Sequence, residues 1–379
     1  MRDPTPPAVL YLTNNPNLGS TARILQYFLG YSRDRGATPC VAVQHEGDFS
    51  RWLRERGHPV LACPMRLPSR LWPVPAWLDA RRLAAFGLRN RAEIVHCNEH
   101  NLFPATRMLH GMLRVPRVCH VRFGVTRPWC EWAWGGGRLP DAVLWTTHFQ
   151  KRHCAEAVRG LVPEERQHVI RLGIDPDRFG QQAQTRAATR AAWGAGEADI
   201  VVGTASALRP IKRIHEFLDA VTPLAQADPR VRIVIAGGVM PGDESYGERV
   251  RAQGKAAGLG ERLRWLGHLP DVEPFMHAVD VFASTSEFET FGNSVCEAMT
   301  CRRPVAAYEG GSVSEVLGDA GLIVANGDVS GLRGHLSRLI ADAGLRDRLG
   351  ELGRERVLRE FSPAASFEQL QGVYAGLLR

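Results

Sequence analysis

The sequence predicts an α/β chain of two doubly wound, Rossmann-like domains. Three observations carry this reading. Short apolar runs recur, as at 8–12, 93–97, 199–205 and 279–283. Each leads into a loop rich in glycine or polar residues, and helical spacing of apolar positions follows several of them. At 379 residues the chain is long enough for two domains of ordinary size. Residues 181–197 are small, polar and weakly patterned, so they read as a linker between a first domain, 1–180, and a second, 198–361.

In the first domain, strand 8–12 runs into Thr13-Asn14-Asn15-Pro16-Asn17-Leu18-Gly19-Ser20, then into a helix through Ile24, Leu25, Phe28 and Leu29. The Gly-x-Gly-x-x-Gly dinucleotide fingerprint is absent, which argues against a dehydrogenase. Gly19 and Ser20 stand where backbone can approach a phosphate, or where a plain turn would be capped. Further strands are expected at 39–43, 60–62 and 93–97. The last ends in Asn98-Glu99-His100-Asn101, polar residues at the end of a parallel strand, where such folds bind ligands. Arg117-Val118-Cys119-His120-Val121-Arg122 follows, then a strand at 143–147 and another from His168 to Asp175. Asp175-Pro176-Asp177 reads as a turn. Two segments are rich in arginine and tryptophan: 65–91, with Trp72 and Trp77, and 127–138, with Trp129, Trp132 and Trp134. That composition suits either an interfacial membrane contact or core aromatics beside a solvated basic face.

The second domain opens with strand 199–205 and the loop Ser206-Ala207-Leu208-Arg209-Pro210-Ile211-Lys212. Strand 232–236 ends in Gly237-Gly238, and a short strand lies at 264–269. After strand 279–283 come Glu289, Phe291 and a turn, Gly292-Asn293-Ser294, that opens a helix through Val295, Ala298 and Met299. A strand, tight turn and helix N-terminus form an anion site, because the first helical N–H groups lack internal partners and the dipole favours negative charge. Glu289 and Glu297 flank it. Carboxylates repel phosphate but accept hydrogen bonds from sugar hydroxyls, so the pattern points to a diphosphate between two polyols, a nucleotide sugar. Ser294 with Glu297 and Ser312 with Glu315 also have capping-box spacing. Beyond Gly327-Asp328 the chain is helical, with a break at Phe361-Ser362-Pro363 before a last helix within 362–379 that carries an apolar stripe.

No apolar run approaches the roughly 20 residues of a membrane span, and Met1 leads straight to a short strand without a secretory pattern. The eight cysteines show no Cys-x-x-Cys spacing, which fits buried thiols in a reducing cytoplasm and no zinc site. The net charge of +7 suits acidic partners such as nucleotide diphosphates or anionic lipid, and no nucleic-acid motif is present.

The stretch Glu289, Phe291-Gly292, Glu297-Ala298-Met299, with Arg303-Pro304-Val305 and Gly310-Gly311 after it, resembles the family-4 retaining glycosyltransferases (glycosyl transferases group 1). The resemblance implies the GT-B fold, two Rossmann-like domains facing across a cleft, with the last helix packing back on the first domain. It implies that Glu289 contacts the donor sugar and Glu297 the ribose, with Phe291, Gly292, Asn293 and Ser294 around the donor. Backbone groups of His268 and Leu269 would read the base, and Gly19 would face the diphosphate. The loop 206–212 resembles the family's Gly-Arg-Leu-x-x-x-Lys. Lys212 matches, the family arginine is Ala207 here, and Arg209 would supply the second catalytic cation. Two registers place either His120 or Arg122 at the strand end near the transferred sugar. Leu172 stands where the family has asparagine. The implied chemistry is metal-independent transfer from a UDP- or GDP-sugar, without a cofactor, to a glycan or lipid-linked acceptor in envelope polysaccharide or lipopolysaccharide synthesis. It would take place in the cytoplasm, with peripheral contact at the inner face of the membrane. The rival readings are a nucleotide-sugar epimerase and a non-catalytic nucleotide-sugar-binding protein.

Overall fold

Near-continuous apolar strands buried on both faces belong in parallel sheets, and every strand pairing described here is parallel. The computed structural model describes residues 5–17, 20–69, 71–135, 139–180 and 183–379. The chain divides into two units: Met1–Gly173 with Pro363–Arg379, and Ile174–Ser362.

The first unit holds β1 (Val9–Thr13), β2 (Cys40–Val43), β3 (Val60–Ala62), β4 (Ile94–Cys97), β5 (Arg117–Val121), β6 (Ala142–Trp145) and β7 (Gln167–Val169), in the order β3-β2-β1-β4-β5-β6-β7. One face of the sheet packs Leu10, Leu12, Val95, Cys97, Cys119, Val121 and Trp145 into an apolar core with Trp134 and Phe103. The helix Pro363–Leu377 belongs to this unit. Its Phe367 ring meets Phe28 and Tyr31, and its Tyr374 hydroxyl lies 3.3 Å from that of Tyr11.

The second unit holds β8 (Ile200–Ala205), β9 (Val231–Ala236), β10 (Leu263–Gly267), β11 (Val281–Ser284), β12 (Val305–Tyr308) and β13 (Leu322–Val324), in the order β10-β9-β8-β11-β12-β13. Its core joins Val202, Ile233, Ile235, Val281 and Ala283 to Phe217, Val221, Leu332 and Leu336. Strand order reverses between β1 and β4 in the first unit and between β8 and β11 in the second. Ligands of open parallel sheets bind at such switch points, outside the carboxyl ends of the strands.

The stretch expected as a linker is largely a helix. Ala183–Ala192 belongs to the second unit. Arg186 and Arg190 from this helix pair with Asp280, at 2.5 and 2.7 Å, and Asp280 also accepts the amide of Val201 at 2.8 Å. Three donors on one half-buried carboxylate dock the helix at the start of β11. The strand expected from His168 to Asp175 stops at Val169. Asp177 then donates its amide to Asp175 Oδ1 at 2.9 Å, closing the turn expected there.

Candidate nucleotide-sugar site

The loops after β8 and β11 meet at the switch point of the second unit. Thr285 Oγ1 donates to the carbonyl of Lys212 at 2.9 Å, and the Glu287 amide to that of Ile211 at 2.9 Å. The helix Asn293–Thr300 follows, anchored by buried Val295, Cys296, Ala298 and Met299. Its N-cap is Gly292, at φ 91°, a left-handed conformation that favours glycine. Ser294 is therefore the second residue inside the helix, and the Ser294–Glu297 capping box does not form. Among the described residues no side chain caps this helix, and the N–H groups of a helix's first turn, lacking internal partners, favour an anion.

Lys212 Nζ and Glu289 Oε1 form an ion pair at 2.5 Å. The Glu289 backbone is fixed from behind. Its carbonyl accepts the Ser312 amide at 2.8 Å, and a Cβ on Gly311 (φ +64°) would fall 2.3 Å from the same oxygen. Only glycine allows that approach. Ser312 is the N-cap of Val313–Leu317, but its hydroxyl donates to the Thr290 carbonyl at 2.9 Å and does not cap the helix. Here too the capping-box spacing misleads.

A pocket of about 340 Å³ opens beside this helix. Ser294 and Glu297 line it together with Ala207, Gly238, His268 and Leu269. Residues that the sequence places on three separate loops thus share one cavity. Phe291 does not face a ligand with its ring, which is 2 % exposed and packs edge-on against Phe361 at 5.7 Å. Arg209 is held by Asp243, Nε to Oδ2 at 2.9 Å. Gly237, Gly238, Val239 and Met240 also line the pocket and were not assigned to the site from sequence. Their signal was available, a glycine pair at the carboxyl end of β9.

In the first unit, His120 lies within β5, is fully buried and has no hydrogen-bond partner at either ring nitrogen among the described residues. Burial, with Arg122 nearby, holds its pKa well below the usual histidine value. Arg122 is the residue just past the end of the strand. Gly19 lies outside the described residues. Of the tryptophans, Trp134 is buried and Trp129 packs on it at 5.4 Å, whereas Trp132 is partly exposed under Arg107. Where it is described, the segment 127–138 is thus mixed: Cys130, Ala133 and Trp134 are core, whereas Arg127, Pro128, Glu131 and Trp132 are exposed. Segment 65–91 differs: Leu71 is 95 % exposed and Trp72 65 %, and Val74, Trp77, Leu78 and Leu88 are exposed as well.

Residues 185–356 match the family described as Glycosyl transferases group 1. The chain is 27 % identical over 258 residues to the lipopolysaccharide core biosynthesis mannosyltransferase LpcC of Rhizobium leguminosarum bv. viciae, covering 64 % of this chain and 73 % of that protein. It is 32 % identical over 156 residues to the lipopolysaccharide core biosynthesis glycosyltransferase LpsE of Rhizobium meliloti, covering 41 % of this chain and 43 % of the relative. Among solved structures, Anabaena HepE in complex with UDP-glucose superposes with a TM-score of 0.82 at 22 % identity, over 98 % of this chain and 100 % of that one. A glycosyltransferase of Rickettsia africae does so at 0.87 and 16 %, over 99 % of each chain. These two likenesses are of fold.

Proposed function

We propose, from the match of residues 185–356 to the family described as Glycosyl transferases group 1, a retaining enzyme that moves a sugar from a nucleoside-diphosphate sugar to a hydroxyl acceptor. The observation that carries this reading is the pocket that gathers Ser294 and Glu297, at the start of one helix, with His268 and Leu269 beyond β10. A ribose between them would give its hydroxyls to Glu297, and the base would lie against the backbone at 268–269. The diphosphate would sit on the N–H groups of the helix Asn293–Thr300.

Glu289 would hold the transferred sugar and Lys212 the leaving phosphate. Their ion pair does not prevent this. An ammonium has three donors, so Lys212 can keep Glu289 and take a phosphate oxygen, and Glu289 Oε2 remains for a sugar hydroxyl. Charge on the departing diphosphate grows in the transition state, and fixed donors aimed at it are typically the largest catalytic term. Retention follows from attack on the face the diphosphate leaves, with that phosphate taking the acceptor proton. The reaction so drawn routes no step through a metal.

The acceptor is proposed to be a glycan or lipid-linked glycan of the cell envelope, like the products of the lipopolysaccharide relatives. Peripheral contact with anionic lipid at the inner face of the membrane is part of this reading. It is supported by the exposed apolar residues of 67–78 and by Arg81, Arg82 and Arg89 on the same outward face of the helix Val74–Arg89. Asp79, the acid of that helix, is buried and paired with Arg66 at 2.8 Å. No described helix is long and apolar enough to cross a membrane.

The test is incubation with UDP- and GDP-sugars and a panel of glycan acceptors, with the anomeric configuration of the product read by NMR. A product that keeps the donor's configuration is expected. Inversion overturns retention, and nucleotide binding without turnover across the panel favours the non-catalytic reading.

A further inference from the structure

The switch point of the first unit carries its own polar cluster. Strand alternation sends Leu10, Leu12, Val95, Cys97, Cys119 and Val121 into the apolar core. It turns Tyr11, Thr13, His96, Asn98, His120 and Arg122 to the opposite face. The lower part of that face is covered by Tyr374, whose hydroxyl meets His96 Nδ1 at 2.5 Å. At the carboxyl edge, Arg122 donates Nε to the Asn98 carbonyl at 2.9 Å and Nη2 to Asn98 Oδ1 at 2.7 Å. Glu99 accepts from Thr13 Oγ1 at 3.2 Å, the Asn14 amide at 3.1 Å and Asn98 Nδ2 at 2.7 Å.

Both charged residues are at least nine-tenths buried, Arg122 at 3 % exposure and Glu99 at 5 %. Glu99 spends its oxygens on three neutral donors. Arg122 makes no ion pair with a carboxylate among the described residues, and its Nη1 has no hydrogen-bond partner. Beside it, both ring nitrogens of His120 are equally unpartnered. A buried guanidinium with half of its fork unused is costly to keep unless something completes it. The group that completes it best has two oxygens in a plane and a negative charge.

We propose that this cluster is a subsite for a carboxylate or phosphate group carried by the acceptor, held by Arg122 Nη1 with His120 as the neighbouring contact. The assignment to an acceptor rests on the transferase reading above; the anion subsite itself does not. Burial pulls the Arg122 pKa down to about 10, so the guanidinium is charged at neutral pH and an arriving anion restores its lost solvation. Glu99 is within electrostatic reach of Arg122 but makes its hydrogen bonds to neutral donors, so an acceptor without an anionic group leaves Arg122 Nη1 unpartnered, which makes the residue a selector for acidic or phosphorylated glycans.

The experiment titrates the whole protein, saturated with UDP so that the donor pocket is filled, with inorganic phosphate in one arm and acetate in another. Arginine side-chain NMR follows Arg122. A saturable shift of its guanidinium resonances is expected in wild type, and the same titration followed on the His120 ring resonances, which every variant retains, should be weakened at least about tenfold in Arg122→Lys and lost in Arg122→Gln. The arm that responds identifies the class, phosphorylated or carboxylated. No saturable shift in wild type overturns the proposal, whatever the variants do. So does a titration that Arg122→Gln leaves unchanged, since the anion then sits elsewhere. If UDP itself fails to bind, the transferase reading is what falls, and the anion titration still decides the subsite.

Discussion

Lys212 and Glu289 stand 77 residues apart in the chain and meet as a 2.5 Å ion pair at the carboxyl edge of the second sheet, with side chains 20 % and 18 % exposed. The loop cation and the carboxylate before the helix are thus one unit. In the proposed reaction, Lys212→Ala should lower the turnover rate on the order of 100-fold, with a smaller effect on nucleotide affinity. Arg209 is engaged by Asp243 and half exposed, so Arg209→Ala should transfer sugar at close to the normal rate. A 100-fold loss in Arg209→Ala would mean that the Asp243 contact is exchanged for the diphosphate on binding. Placing arginine at Ala207, which lines the pocket, should raise the rate if one cation limits the clamp. Steady-state kinetics with the preferred donor measure all three.

Glu297 lines the pocket from a helix whose N-cap is Gly292. Its carboxylate therefore has no capping role at Ser294 to lose. Glu297→Gln should weaken nucleotide binding by about 1–3 kcal/mol, the scale of a lost charge-assisted hydrogen bond. Calorimetric titration with UDP and GDP, beside a thermal melt, separates binding from stability. A lower melting temperature with unchanged affinity would return Glu297 to a structural role.

How much of this was legible in the sequence depends on the range of the interaction. The anion turn was readable because strand, glycine and helix start are contiguous. The Lys212–Glu289 pair was not, since nothing local predicts a contact across three crossovers. Neither capping-box spacing forms a cap, for one reason: spacing alone does not fix where a hydroxyl points. Gly292 in the left-handed region starts the helix two residues before Ser294, and Ser312 turns to Thr290. The helix Ala183–Ala192 escaped because its alanines and threonines give no apolar stripe. Long arginine reaches to Asp280 hold it instead. β13 is only three residues long, too short for any period to register. Trp72 and Trp134 look alike in composition, yet one is exposed and the other is core.

The exposed tryptophans make the membrane expectation specific. Burying one such side chain in an interface contributes about 1.5–3 kcal/mol, so Trp72→Ser or Trp77→Ser should each weaken sedimentation with anionic vesicles by roughly tenfold or more. Trp134→Phe, a core change, should leave it unaltered in the folded fraction. High salt should weaken wild-type binding as well, because Arg81, Arg82 and Arg89 act through a screened field. Failure to bind anionic vesicles at low salt would remove the membrane from the proposed function.

The buried histidines of the first unit set a pH limit on its stability. Burial, and the Arg122 charge, hold His96 down to about 3 and His100 to about 4, and keep His120 well below its usual value. The groups facing His120 are Arg122, His96 and His100, with Glu99 beyond Arg122, so no carboxylate stands close enough to reverse the shift. The unfolded chain takes up these protons below about pH 6.5 while the folded one does not. Linkage then gives the sign: stability is complete above about pH 6.5 and falls as pH drops toward 4. Each such histidine adds a slope of about 1.4 kcal/mol per pH unit across that window. His120→Gln removes one of them, so its unfolding free energy should fall less steeply than that of wild type between pH 6.5 and 4.5, whatever its offset at pH 8. Urea unfolding at half-unit pH steps measures the difference in slope. Parallel curves for the two proteins would mean that His120 gains its proton in the folded state.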